Sequence, residues 1–136
     1  VTGSDRRLKN TITDSILGLE FINKLRPVSY VWNEGEKRKV ENEDGCHKRD
    51  SSGNKLYESV AGVRPHYGLI AQEVKATLDE LGVTDFAGWI LTDTTDPDSD
   101  QALRYSEFIS PMMKAIQELS EKNAALEARI ATLEGS

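Results

Sequence analysis

A chain of 136 residues has the length of one ordinary domain, which argues against an enzyme built around a cleft between two large lobes. Hydrophobic residues make up 38% and aromatics 7%, lean beside the roughly 45 to 50% apolar share (glycine included) of self-sufficient domains, so core borrowed from a partner is expected. The 17 Lys and Arg against 23 Asp and Glu leave a formal charge of -6 with no basic stripe interleaved with aromatics, which argues against nucleic acid as a ligand.

Apolar runs are only a few residues long and the first seven positions hold no hydrophobic leader core, so a soluble product without membrane span or secretory leader is expected. The single cysteine, Cys46, has no intrachain disulfide partner, and no four-ligand zinc pattern accompanies it. Stability is left to packing and association.

In chain order, a charged segment from Ser4 to Asn10 leads into Ile16, Leu17, Phe21, Ile22 and Leu25, which fall on one face of a helix capped by Asp14 or Thr13. Pro27 stops it at Arg26. Val28, Tyr30 and Trp32 then alternate with Ser29 and Val31 as a strand with one buried face. From Asn33 to Lys55 the only apolar residues are Val40 and Cys46, so this stretch is an excursion, turning as a hairpin near Ser52-Gly53-Asn54 and suited to reach a neighbour.

Beyond it, Tyr67 to Ala71 reads as a short buried strand. A helix follows with Val74, Leu78 and Leu81 on one face and Gly82 as its stop. Phe86 to Leu91 and Ala102 to Tyr105 are further short strands, separated by the acidic, turn-rich Thr92 to Asp100. Helices interleaved with strands give an α+β fold class.

The tail carries the most regular signal. Ile109, Met112, Ile116, Leu119, Asn123, Leu126, Ile130 and Leu133 alternate spacings of three and four, a heptad repeat. With Ile109, Ile116, Asn123 and Ile130 at a, the g residues Lys122 and Arg129 face Glu127 and Glu134 at e of a parallel neighbour. Each such pair contributes only about 0.2 to 1 kcal/mol, so the charges select orientation while the apolar seam supplies affinity. Ile at a with Leu at d leans towards two strands, and Asn123 fixes register. Ser110 is the expected cap, with Pro111 at the first helical position.

Ser4 and Lys9 place a hydroxyl and an amine five residues apart. A lysine activates a serine when its amine is neutral, which requires burial or nearby positive charge such as Arg6 and Arg7. By composition alone, such a pair is more commonly just solvated.

Four blocks add a resemblance. Ser4-Asp5-Arg6-Arg7-Leu8-Lys9-Asn10-Thr11-Ile12, Leu25 to Trp32, Arg64-Pro65-His66-Tyr67-Gly68-Leu69-Ile70-Ala71-Gln72-Glu73-Val74, and Tyr105 to Ile109 running into Ala115 to Leu119 occur in this order before the heptads. In these the chain resembles the C-terminal intramolecular chaperone domain of bacteriophage tail spikes, tail fibres and neck appendages, including endosialidases. The resemblance implies a homotrimer, overriding the lean towards two strands. It implies that the domain registers an upstream β-rich fibre of the same chain and then cuts itself off as a serine peptidase.

Carried over, Ser4 is the nucleophile, Lys9 its general base and Ser4 to Asp5 the bond cut. Glu73, His66 and Asp5 are lesser candidates for orienting groups. Attack by Ser4 on its own carbonyl would close a strained four-membered ring; the Gly3 carbonyl or the equivalent serine of a neighbouring copy are the alternatives. Residues 1–4 are then the upstream remnant with the cleavage serine, 5–105 the α+β core with a polar excursion over 33–60, and 106–136 the trimerisation helix. The expected setting is the host cytoplasm during virion assembly, followed by release from the mature fibre. Cleavage requires no cofactor; an ATP contact is implied by the resemblance alone, and no Gly-rich phosphate loop occurs.

Other motifs are weaker. Asp96, Asp98, Asp100 and Glu107 have calcium-loop spacing, but Gln101 stands where the turn needs glycine, so a solvated acidic turn and no metal is expected. Cys46-His47 reads as exposed loop. The competing function is a structural trimerisation or adaptor module that stays attached, with Ser4 and Lys9 inert; a hydrolase acting on free substrates lacks a pocket signature.

Overall fold

A computed structural model describes residues 3–135. The chain forms α1 (Leu19–Lys24), β1 (Val28–Tyr30), β2 (Glu36–Lys39), β3 (Tyr57–Val60), β4 (His66–Gly68), α2 (Ala71–Glu80), β5 (Trp89–Leu91), β6 (Gln101–Leu103) and α3 (Ile109–Glu134), with 3-10 turns at Arg6–Leu8 and Tyr105–Phe108. It divides into two units, one made of the chain up to Arg26 and from Ala71 onward, the other Pro27–Ile70. Among the described residues no helix is long and apolar enough to cross a membrane.

In the first unit the core is aromatic. Phe21 of α1 is 1% exposed, stacks on Phe108 at 6.1 Å between centroids and meets Phe86 edge-on at 5.7 Å, and Phe86 meets Phe108 at 5.2 Å. Leu17, Val74, Leu78 and Ala115 complete it. Because one ring joins α1 to the segments before β5 and α3, Phe21→Ala is expected to remove about 3 to 5 kcal/mol, read by denaturant unfolding. Helix α2 forms as its periodicity predicts and stops at Gly82, whose φ of +69° favours glycine. There the N–H of Val83 donates to the Leu78 carbonyl and that of Gly82 to Asp79. Strands β5 and β6 pair antiparallel, and Trp89 Nε1 donates to Gln101 Oε1 at 2.9 Å.

Several sequence expectations change here. The first helix begins at Leu19, with Gly18 and not Asp14 or Thr13 at its cap, and Ile16 lies outside it, 84% exposed. The reason is a cap supplied from α3, described below. Phe86 serves the core ahead of β5 instead of lying in the strand, and Tyr105 opens a 3-10 turn instead of ending β6. Helix α3 starts one residue before Ser110, which lies within its first turn and provides no cap. Pro111 is tolerated there because amides in the first turn have no helical acceptor.

The second unit is built on backbone pairing with little core. β1 and β4 pair antiparallel with Ser29 opposite Tyr67, and β2 pairs with β3 from Glu36 opposite Val60 to Lys39 opposite Tyr57. The expected buried strand at Tyr67 to Ala71 is instead His66–Gly68, with Tyr67 83% exposed, because a two-stranded ribbon leaves one pleat face uncovered. Gly35 and Gly62 pass so closely that a Cβ on Gly35 would lie 2.4 Å from the Gly62 Cα.

The polar excursion is ordered by a cyclic backbone junction. Val40 N–H donates to Leu56 O at 3.1 Å, Leu56 N–H to Lys48 O at 2.9 Å and Lys48 N–H to Val40 O at 2.8 Å. Two small turns branch from it, one closed by Gly45 N–H to Asn42 O and one by Gly53 N–H to Asp50 O. The second is the turn expected near Gly53, whose φ is +83°.

Candidate functional site

The segment before α1 folds locally. Asp5 starts the 3-10 turn Arg6–Leu8 by accepting the Arg7 N–H at 2.8 Å, and its carboxylate is clamped by the Arg7 guanidinium at 2.6 Å. These hydrogen bonds from Arg7 hold the Asp5 carboxyl below its ordinary range. At the far end the Lys9 N–H closes on Arg6 O at 3.1 Å. One tight turn between positions 4 and 9 brings their side chains together, and Lys9 Nζ donates to Ser4 Oγ at 2.9 Å. Both residues are exposed. Thr11, two residues on, has φ of +50°, a conformation that costs a β-branched residue of order 1 to 3 kcal/mol.

Chemically, the arrangement places a hydroxyl within proton-transfer distance of an amine. The other residues singled out by sequence are engaged elsewhere. Glu73 accepts from Arg26 Nε at 3.1 Å and from its terminal nitrogen. Asp5 is committed to Arg7. His66, in the second unit, stacks on Tyr30 at 5.7 Å with Trp32 beside it.

The Arg26 hydrogen bonds hold the Glu73 carboxyl below its ordinary range, so this pair supports the fold above that range and loses its effect as pH falls through the lowered value. Glu73→Gln is therefore expected to lower the melting temperature slightly at neutral pH. The mutant and unmodified curves should converge once the pH has fallen below that lowered value, and a gap that persists in stronger acid contradicts this assignment.

The tail presents two faces. Phe108, Pro111 and Ala115 are buried against the chain's own domain. Roughly a quarter-turn around the helix, Ile109, Met112 and Ile116 are exposed, and from Leu119 onward the described part of the helix is exposed on every side, Asn123, Leu126, Ile130 and Leu133 included, with Ile116 at 67% and Leu133 at 72%. The domain thus uses a different stripe from the heptad one. Sequence reading missed two features: the contact of Glu118 with the start of α1, for which periodicity gives no signal, and the backbone of Thr11.

The groove between α1 and α3 is lined by Leu19, Glu20, Asn23, Lys24, Glu118 and Lys122. It mixes two carboxylates with two amines, and Lys24 is tied to Glu80 at 2.6 Å. In the acidic turn, Asp93 accepts from Thr95 and Asp96 from the Asp98 N–H. Among the described residues no three His, Cys, Asp or Glu side chains gather as a metal cage.

A search of curated proteins finds no match to the chain. The sequence profile described as chaperone of endosialidase matches residues 4–83, from the serine of the Ser4–Lys9 contact to just past the Gly82 helix stop. That is more than half of the chain, and it leaves out the acidic hairpin and α3. On this match the chain belongs to the chaperone of endosialidase family.

Proposed function

We propose that this domain is an intramolecular chaperone that joins three chains through α3, sets the register of an upstream fibre, and is then released by self-cleavage at Ser4 with Lys9 as base. The observation that carries this reading is the 2.9 Å contact of Lys9 Nζ with Ser4 Oγ at the start of the family match. The outward heptad face of α3 supports the assembly half.

In the reaction, Ser4 Oγ bonds to a carbonyl carbon as Lys9 takes its proton; Lys9 returns it to the departing amide nitrogen, and water then hydrolyses the ester. Cutting at Ser4 to Asp5 frees Asp5 as the new amino terminus. A carbonyl delivered by a neighbouring copy avoids the four-membered ring that Ser4 would close on its own carbonyl and is held at very high effective concentration in the assembly, so no substrate cleft is needed. In the single chain Ser4 and Lys9 face water, whereas a lysine base works best shielded from it. A neighbouring copy over this segment would supply that shielding and make cleavage report assembly.

For the chaperone role, a β-rich trimeric fibre must align three chains before its non-local contacts form. A nucleus at one end raises their effective concentration and sets register. Removing it afterwards makes the fibre hard to dissociate. Such an activity belongs in the host cytoplasm while virions assemble. Mass spectrometry of a chain carrying its natural upstream sequence tests the proposal: a fragment beginning at Asp5, absent in Ser4→Ala and Lys9→Ala, is expected. The exposure of both residues favours one second reading, an adaptor that stays attached, for which the extended chain would remain whole.

A further inference from the structure

Glu118 lies on α3 about one turn beyond Ala115, on the side that packs against the domain, and is half-buried against the start of α1. Its Oε2 accepts the N–H of Leu19 at 2.9 Å, from 99 residues further along the chain. That amide is one of the first in the helix, for which the helix has no acceptor of its own. Gly18, at the cap position, has no side chain to take it. Gly18 is also buried, and a Cβ there would lie 2.6 Å from Glu118 Oε1. The bare backbone at 18 and the carboxylate at 118 are thus two halves of one fit, and a negative charge at a helix start is favourable in its own right.

The clasp sits at a crossroads. The buried residues of α3, Pro111 and Ala115, precede Glu118, and the seam continues past it to Leu133. On the other side, the chain upstream of Gly18 passes through buried Leu17 to the turn that holds Ser4 and Lys9.

Resting on the cleavage reading above, we infer that Glu118 is a positioning residue for self-cleavage: by capping α1 from α3 it fixes where the Ser4–Lys9 segment leaves the fold. Its effect on the reaction passes through Leu19 and α1.

The test uses a chain with its natural upstream sequence, followed by light scattering for mass and by mass spectrometry for the rate of cutting. Glu118→Ala is expected to assemble as the unmodified chain does yet cleave about tenfold slower or more, the order of loss that small misplacements of reacting groups produce. Glu118→Gln keeps an acceptor oxygen and is expected to stay within about threefold of the unmodified rate. Gly18→Ala should mimic Glu118→Ala, and the double variant should be no slower than either, because both break one contact. Val74→Ala hollows the core at α2 and calibrates what lost stability alone does to the rate, well below the melting temperature.

An unmodified rate in Glu118→Ala, or rates in Glu118→Ala and Val74→Ala that simply track their melting temperatures, would overturn the inference. Continued cutting of Ser4→Ala that still depends on Glu118 would sink the Ser4 assignment and leave the clasp standing. In a chain that does not cut at all, amide exchange decides. Faster exchange at Leu19 and across residues 5–17 in Glu118→Ala supports the clasp, and unchanged exchange refutes it.

Discussion

Ser4→Ala in a chain with its natural upstream sequence is expected to stop cleavage, by about a thousandfold or more, while leaving the assembled mass unchanged. Removing the nucleophile of a serine and base unit costs about as much as removing the whole unit, so Lys9→Ala should be equally inactive and the double variant no worse than either. Lys9→Arg should also fail. A guanidinium stays protonated in proteins and cannot accept the Ser4 proton, although it keeps the positive charge beside the hydroxyl. Ser4 and Lys9 are exposed and outside the Phe21 core, so these changes are expected to leave the melting temperature nearly unmoved. Mass spectrometry over time reads the rate, and cutting of Ser4→Ala at the unmodified rate would remove Ser4 from the mechanism.

The second large effect is expected from the tail. Ile116→Asp with Leu126→Asp should convert the assembly to single chains, because both residues lie on the exposed heptad face and neither belongs to the stripe packed on the domain. Burying each such side chain contributes about 1.5 to 3 kcal/mol per copy, and an aspartate in its place would bring an unpaired charge into the seam. The domain should survive: far-ultraviolet circular dichroism should keep its α1 and α2 signal, while light scattering falls to the protomer mass. If cleavage depends on a neighbouring copy, it should fall with assembly in this variant. Full-rate cutting by a single chain would place the whole reaction within one copy.

What the sequence disclosed depended on whether the deciding contact was local. Helix α2 and its Gly82 stop were legible because apolar periodicity and a left-handed glycine act within a few residues. The turn at Gly53 was legible for the same reason. The Ser4–Lys9 contact follows from a spacing that one tight turn can close. Helix α1 departs from its local signals at its start because its cap comes from Glu118, far along the chain, and no nearby residue carries that information.

Tyr67 departs from its local pattern for another reason. An apolar run predicts burial, but β4 pairs with β1 alone and leaves that side chain without a covering layer in the single chain. The polar excursion concealed its order because the junction of Val40, Lys48 and Leu56 is made by backbone groups, which composition does not record. The heptads of α3 were plain in the sequence. Spacing alone left open whether that stripe faces the domain or the outside, and the burial of Phe108, Pro111 and Ala115 on another face shows that the domain does not use it.

Sedimentation equilibrium of this chain at micromolar concentration tests the central claim most directly. The account predicts a single species of three times the protomer mass, lost in Ile116→Asp with Leu126→Asp. A folded single protomer across that concentration range would contradict it.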